Sequence, residues 1–160
     1  IEMWANTDVD AVTFSDDWGS QKSLLISPEL WREFYKPLYK DYCDILRSKG
    51  KYVFFHSDGN IESIYPDLIE IGVNAINSQL FCMDIEKLGN SYVGKITFWG
   101  EIDRQYILPF GTTEDARNAV RRVAKAMLKD KRTGIIAQFE WGIKDPIENV
   151  LAILEEWEKY

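Results

Sequence analysis

The chain alternates five short apolar runs with longer segments in which apolar residues recur every three or four positions. Strands separated by helices cannot pair as hairpins, so the predicted sheet is parallel. Apolar strands without strict alternation indicate a sheet covered on both faces, as in a barrel or an open doubly wound sheet, and the pattern alone does not choose between them. The predicted strands are Asp10–Phe14, Tyr52–Phe55, Val73–Ile76, Lys95–Trp99 and Gly134–Ala137.

Capping and helix-breaking residues mark the predicted helices. Ser27 can cap a helix that has Pro28 at its first position, and Pro37 is expected to kink or split that helix. Capping boxes are expected where later helices begin, at Thr112–Asp115 and Asp145–Glu148. One buried face of the first long helix is expected to comprise Leu30, Trp31, Phe34, Leu38, Tyr42, Ile45 and Leu46.

Composition argues against several classes of partner. The net charge is −7 and no long basic run occurs, so neither nucleic acid nor an anionic membrane surface is an expected partner. No apolar stretch approaches the roughly 20 residues that span a bilayer, and no signal peptide is evident. Cys43 and Cys82 give no disulfide framework, so we expect a reducing, cytoplasmic setting. The short basic segment 129–132 is interpreted as a solvated turn.

Polar side chains that could carry chemistry follow each predicted strand. The carboxyl ends of parallel strands share one face, where binding sites form, so we expect these side chains to converge. In chain order the candidates are Asp16, Asp17 and Trp18, then His56 and Asp58, then Gln79 and Cys82, then Glu101 and Asp103, and finally Gln138 and Glu140.

Each of these candidates also has a purely structural interpretation. Asp16 or Asp17 could satisfy backbone donors in a turn, and Asp58 could cap the following helix. His56 could be a histidine of the core with satisfied hydrogen bonds. Cys82 could be an inert buried thiol, and Glu140 could be a solvated loop residue.

The spacing of His56 and Asp58 favours a shared chemical role. The two residues are two positions apart on a segment predicted to be extended, so their side chains point to the same side. A ligand pair or an acid–base pair needs this arrangement. A third group from another strand could complete a zinc site with one open position, and Cys82 and Glu140 are the available groups.

Six motifs, in the same order along nearly the whole chain, resemble the uroporphyrinogen decarboxylase superfamily. The resemblance implies a (β/α)8 TIM barrel, of which residues 1–160 are the C-terminal portion with the last five βα units. The first three units, with an arginine-rich segment, would then lie in a longer polypeptide. The motifs are Asp16-Asp-Trp-Gly19, Leu25-Ile-Ser-Pro-Glu29 with Phe34-Tyr-Lys-Pro37, Gly50–Asn60, Asp67–Gly72, Phe98–Asp103 and Pro146–Asn149.

The superfamily offers two activities. One is cofactor-free decarboxylation of uroporphyrinogen acetate side chains in porphyrin biosynthesis. The other is zinc-dependent methyl transfer between a corrinoid protein and a thiol, for which the methyltransferases carry H-x-C after the second strand and a further cysteine after the last. This sequence retains the histidine as His56, has Asp58 at the cysteine position, and has Phe139 or Glu140 near the last ligand position. Decarboxylases usually lack a histidine at the position of His56.

The resemblance therefore favours the methyltransferase-like branch. His56, Asp58 and Glu140 are the predicted zinc ligands, and the corrinoid would be a co-substrate on a partner protein. Under decarboxylation Asp16 would instead stabilise positive charge on a protonated pyrrole of a tetrapyrrole substrate. A third possibility is a non-catalytic fragment, because open sheet edges would make this portion associate with the missing half or form a homodimer. The predicted catalytic set is Asp16, Asp17, His56 and Glu101, and the predicted substrate-binding set is Trp18, Gln79, Asp103 and Gln138.

Overall fold

The computed structural model describes residues 1–129 and 134–160, in which five strands alternate with helices. Of the expected basic turn at 129–132, all but the first residue lie outside the described residues. The strands are Ala11–Ser15 (β1), Tyr52–Ser57 (β2), Ala75–Ser78 (β3), Thr97–Gly100 (β4) and Ile135–Ala137 (β5). The helices are Glu2–Ala5 (α1), Pro28–Phe34 (α2), Lys36–Ser48 (α3), Tyr65–Glu70 (α4), Ile85–Tyr92 (α5), Ile107–Phe110 (α6), Thr113–Met127 (α7) and Ile147–Trp157 (α8).

The chain divides into two compact units, Ile1–Ser78 and Gln79–Tyr160. In the first unit β1 pairs with β2 and β2 pairs with β3, both in parallel. The register places Ser15 beside His56 and His56 beside Asn77. The predicted parallel pairing is therefore confirmed here, and His56 lies inside β2 rather than just after it.

The first long helix splits at Tyr35, as the proline two residues later predicts. Ser27 caps α2 by accepting the Leu30 N–H, and Pro37 lies in the first turn of α3. The predicted buried face is wrong in part. Leu30, Phe34 and Leu38 are exposed, and the buried side chains are Trp31, Tyr39, Cys43 and Leu46.

In the second unit β4 pairs with β5 in parallel, and α7 packs against α8. The capping box at Thr112 is confirmed, since its side chain and that of Asp115 each accept the other residue's backbone N–H. The capping box at Asp145 is wrong: the side chain of Asp145 accepts the Gly142 N–H, and α8 begins after Pro146 without a side-chain cap. The carboxylate is used inside its own loop and is not available to the helix.

A buried amide holds the loop around α6 in the second unit. The Nδ2 group of Asn149, which is 3 % exposed, donates to the carbonyls of Leu108 at 3.0 Å and Gly111 at 2.8 Å. The last residue of the Pro146–Asn149 motif therefore has a structural role within its unit. None of the helices in residues 1–129 and 134–160 has the length and apolar character needed to cross a membrane.

Candidate functional site

Two loops at the carboxyl ends of β1 and β2 are joined by backbone hydrogen bonds. The N–H of Asp16 donates to the His56 carbonyl at 3.2 Å, and the N–H of Gly19 donates to the Asp58 carbonyl at 3.1 Å. The N–H of Asn60 then donates to the Ser20 carbonyl at 2.7 Å. The strand pairing thus continues past the strands themselves, and it fixes both loops at the end of the sheet where chemistry is expected.

Glycine is required on both sides of this contact. A Cβ on Gly19 would lie 2.5 Å from the Asp58 carbonyl oxygen, and one on Gly59 would lie 2.4 Å from the Gly19 carbonyl carbon. Gly59 also has a φ of +77°, which side-chain-bearing residues rarely adopt. We call this contact between Gly19 and Gly59 the glycine crossing. It brings Asp17 and Asp58 towards each other across the two loops.

The ring of His56 is held by a neighbour on β3. Its Nδ1 lies 2.5 Å from the Oδ1 atom of Asn77, whose side chain is buried in the first unit. A carboxamide oxygen only accepts, so Nδ1 is the donor in this contact. Nε2 faces two carboxylates, at 3.5 Å from Asp17 Oδ1 and 3.9 Å from Asp58 Oδ1. The predicted alignment of His56 and Asp58 on one side is therefore present in the structure.

Asp17 completes this cluster. Its Oδ1 atom accepts the backbone N–H of Asp58 at 2.9 Å, which orients the carboxylate towards the second loop. One potential metal-ligand atom from each of Asp17, His56 and Asp58 lies within 4.8 Å of the other two. One imidazole and two carboxylates can hold a divalent cation, but the cluster contains none of the thiolates in the zinc site that the resemblance implies.

Asp16 is oriented differently from Asp17. Its Oδ2 atom accepts the Tyr39 hydroxyl at 2.7 Å, and that hydroxyl accepts the indole N–H of Trp18 at 2.9 Å. Burial, together with the hydrogen bond donated to Asp16, raises the pKa of Tyr39, so the phenol keeps its proton at neutral pH. Asp16 and Trp18 thus belong to a fixed chain of hydrogen bonds above the aromatic core.

The second unit has its own polar cluster at the ends of β4 and β5. Arg104 forms an ion pair with Glu140, and its Nε lies 3.8 Å from Oε2 of Glu101. Glu101 is 2 % exposed, whereas the side chain of Glu140 is about half exposed. Whether Glu101 and Glu140 share one rim with His56 stays a prediction.

The other predicted substrate-binding residues have mixed roles. The side chain of Asp103 accepts the N–H groups of Gln105 and Tyr106, so it stabilises a turn. The N–H of Gln138 extends the pairing of β4 and β5 by donating to the Gly100 carbonyl. Within the second unit Gln79 is buried, and its Oε1 atom accepts the Cys82 thiol at 3.8 Å.

Sequence reasoning missed three residues of these two clusters. Asn77 follows the apolar pair Ala75–Ile76, and a polar residue at that point of a buried strand was a usable signal. Tyr39 and Arg104 had no such signal, because neither a tyrosine in an aromatic-rich helix nor an arginine after a strand indicates a site by itself.

Comparisons with known proteins agree with this fold. The sequence matches the family Uroporphyrinogen decarboxylase (URO-D) over residues 1–160, and no curated protein matches. A solved structure, a methyltransferase from Methanosarcina mazei, matches with a TM-score of 0.73 and 18% identity over 98% of this chain. The chain spans 45% of that methyltransferase, which is less than half its length.

The predicted fold class is confirmed by these matches. At 18% identity the methyltransferase supports the fold alone. The five strand–helix units are part of the TIM-barrel-like α/β fold of the matching family. The family match covers the whole chain, including both polar clusters and the glycine crossing. The chain therefore belongs to the uroporphyrinogen decarboxylase family.

Proposed function

We propose that the chain is the C-terminal part of an enzyme from the methyltransferase-like branch, which moves a methyl group between a corrinoid on a partner protein and an acceptor. The observation that carries this proposal is the fixed orientation of His56. Asn77 occupies Nδ1, and Nε2 is directed at two carboxylates at the end of β2. A histidine that only filled the core would have no need of this polar surrounding.

A further support is the solved methyltransferase from Methanosarcina mazei with the same fold. The motif resemblance also favours this branch, because its methyltransferases carry a histidine at the position of His56. Asp58 stands where those enzymes have a cysteine, which makes this site richer in oxygen ligands.

In the proposed enzyme the chain's own residues position the reaction. His56 and Asp58 would hold zinc, and the bound ion would lower the pKa of a thiol acceptor. Asp16, fixed by Tyr39, would orient the substrate from the neighbouring loop. Glu101 stays a predicted substrate-orienting residue of the second unit.

The test uses the full-length protein that contains this chain. We expect transfer of the methyl group from methylcobalamin to a thiol, which is measured as the loss of the methylcobalamin absorption spectrum. His56→Gln should lower kcat/KM by at least about 100-fold, because an oriented imidazole is lost. Glu33→Gln, on the exposed side of α2, is the matched control and should leave the rate unchanged. Wild-type protein that transfers no methyl group contradicts the proposal.

The second candidate function is decarboxylation of tetrapyrrole acetate side chains, a lyase reaction. The family description and the fixed carboxylate of Asp16 favour it, since a carboxylate could stabilise a protonated pyrrole. Incubation of the full-length protein with uroporphyrinogen tests it. If coproporphyrinogen forms and no methyl transfer is detected, the second candidate function replaces the first. If neither reaction occurs with the complete barrel, the third possibility, a non-catalytic protein, is favoured.

A further inference from the structure

We propose that Asp17, His56 and Asp58 form a divalent-cation site, with Asp17 rather than Glu140 as the third protein ligand. Asp17 is among the residues predicted to be catalytic and is not among the predicted zinc ligands. The cation belongs to the site of the proposed function, and its catalytic role rests on that proposal. Binding of the ion itself does not depend on methyl transfer.

The first step of the argument is the orientation of the imidazole. A metal-binding histidine donates its second ring N–H to an acceptor, which fixes the tautomer and the ring. The acceptor here is Asn77 Oδ1, on a side chain that is 3 % exposed and lies outside the three-residue cluster. Nε2 is therefore the ring nitrogen that faces the two carboxylates before any ion binds.

The second step concerns distances. Two ligand atoms about 2.1 Å from a tetrahedral zinc ion lie about 3.4 Å apart. Nε2 of His56 is 3.5 Å from Asp17 Oδ1 and 3.9 Å from Asp58 Oδ1. The spacing needs only a small contraction to place one ion among the three residues. The contraction is needed at Asp58, whose side chain is 31 % exposed, because the distance to Asp17 already matches.

The third step concerns charge and ligand type. Two carboxylates balance the charge of a divalent ion, which no pair of neutral ligands would do. Three protein ligands leave a position for water or substrate, as in catalytic zinc sites. Carboxylate oxygens also accept manganese, whereas thiolate sites select softer ions. We therefore expect a site that binds both zinc and manganese.

The fourth step concerns the two loops. Asp17 lies on the loop after β1, and Asp58 lies on the loop after β2. The glycine crossing and the bond from the Asp58 N–H to Asp17 hold them together. The ligands are thus preorganised by backbone contacts, which reduces the ordering that ion binding requires.

The experiment measures ion binding by the full-length protein after removal of metals. Zn²⁺ and Mn²⁺ are titrated separately by calorimetry, and one ion per chain is expected. Asp17→Asn keeps the acceptor for the Asp58 N–H but removes the charge, and it should weaken binding at least about 10-fold. Asn77→Ala should weaken it about 10–100-fold, because the ring loses its support.

Two further variants separate the alternatives. Glu33→Gln, which removes an exposed carboxylate from the same unit, should bind like wild type. Glu140→Gln should also keep its affinity. Loss of binding in Glu140→Gln, with Asp17→Asn unaffected, would overturn the assignment of Asp17.

A spectroscopic readout guards against misfolded variants. Co²⁺ bound to the wild type should give a visible absorption band that changes in Asp17→Asn, while the far-ultraviolet circular dichroism of the variant stays unchanged. Wild-type protein that binds no ion overturns the site. Ion binding without methyl transfer supports the cation site and rejects the proposed function. Methyl transfer by a protein that binds no ion rejects the cation site and supports methyl transfer as the function.

Discussion

The two units hold their strand-end polar residues in different ways. In the first unit the loops carrying Asp17 and Asp58 are joined by backbone hydrogen bonds and by the glycine crossing. In the second unit the side chain of Arg104 pairs with Glu140 and approaches Glu101. Backbone bonds neither titrate nor respond strongly to salt, whereas ion pairs do both. The first arrangement suits a fixed site, and the second suits residues that adjust to a substrate.

The largest effect is expected from Gly59→Ala, with Gly50→Ala as the control. Both glycines have similar positive φ values, +77° and +73°, but a Cβ on Gly50 meets nothing within 4 Å. The control should cost about 1–2 kcal/mol from backbone strain alone. Gly59→Ala should cost roughly 2–5 kcal/mol, because the crossing loops must also separate. Urea unfolding measures both free energies, and equal losses would show that the crossing is not tight.

The next largest effect is expected from Asn149→Ala in the second unit. The substitution leaves the Leu108 and Gly111 carbonyls without this donor, at a cost of about 2 kcal/mol. Asn118→Ala, on the exposed side of α7, should change the unfolding free energy by less than about 0.5 kcal/mol. Similar losses in both variants would mean that the buried amide contributes no more than an exposed one.

A smaller, pH-dependent effect is expected from Glu156→Gln. Hydrogen bonds from Lys159 and Arg121 lower the pKa of Glu156 to about 2, below its ordinary value of 4.5. Stabilisation by this carboxylate is therefore present above pH 4.5 and is lost as the pH falls through about 2. The melting temperature of wild type should exceed that of the variant at pH 7, and the difference should shrink as the pH falls through this range.

The control for this prediction is Glu158→Gln, an exposed change on the same terminal segment. It should leave the melting temperature unchanged at every pH. A wild-type advantage over Glu156→Gln that stayed constant down to pH 2 would contradict the assigned cause.

The smallest effect is expected from Glu140→Gln, which keeps Arg104 beside the buried Glu101. The side chain of Glu140 is about half exposed, and pairs such as the one it forms with Arg104 contribute about 0–1 kcal/mol. The loss should decrease at high salt, because the exposed pair is screened. Chemical unfolding at low and high salt measures this. A loss as large as that of Gly59→Ala would remove the contrast between the two units.

Local patterns predicted most of the fold. The five apolar runs became strands with boundaries within two residues of the prediction, and the break near Pro37 occurred at Tyr35. These features depend on nearest neighbours in the chain, which the sequence displays directly. The buried helix face was wrong at Leu30 and Phe34, because apolar spacing shows which residues share a face but not which of them another element covers.

The candidate site was predictable only in part. The spacing of His56 and Asp58 fixed their common side, because extended chains have a period of two. Asn77 and Asp17 joined them through strand register and a loop contact between residues far apart in sequence. Such contacts depend on the packing of whole elements, so composition and spacing could not indicate them.

The glycine crossing has a consequence for protein engineering. If a segment containing His56 and Asp58 were transplanted alone into another barrel, a side chain at the position of Gly19 would collide with the backbone at Asp58. The donor segments 16–20 and 56–60 must therefore be moved as a pair. Neither loop keeps its conformation on its own, because each is held by its contact with the other.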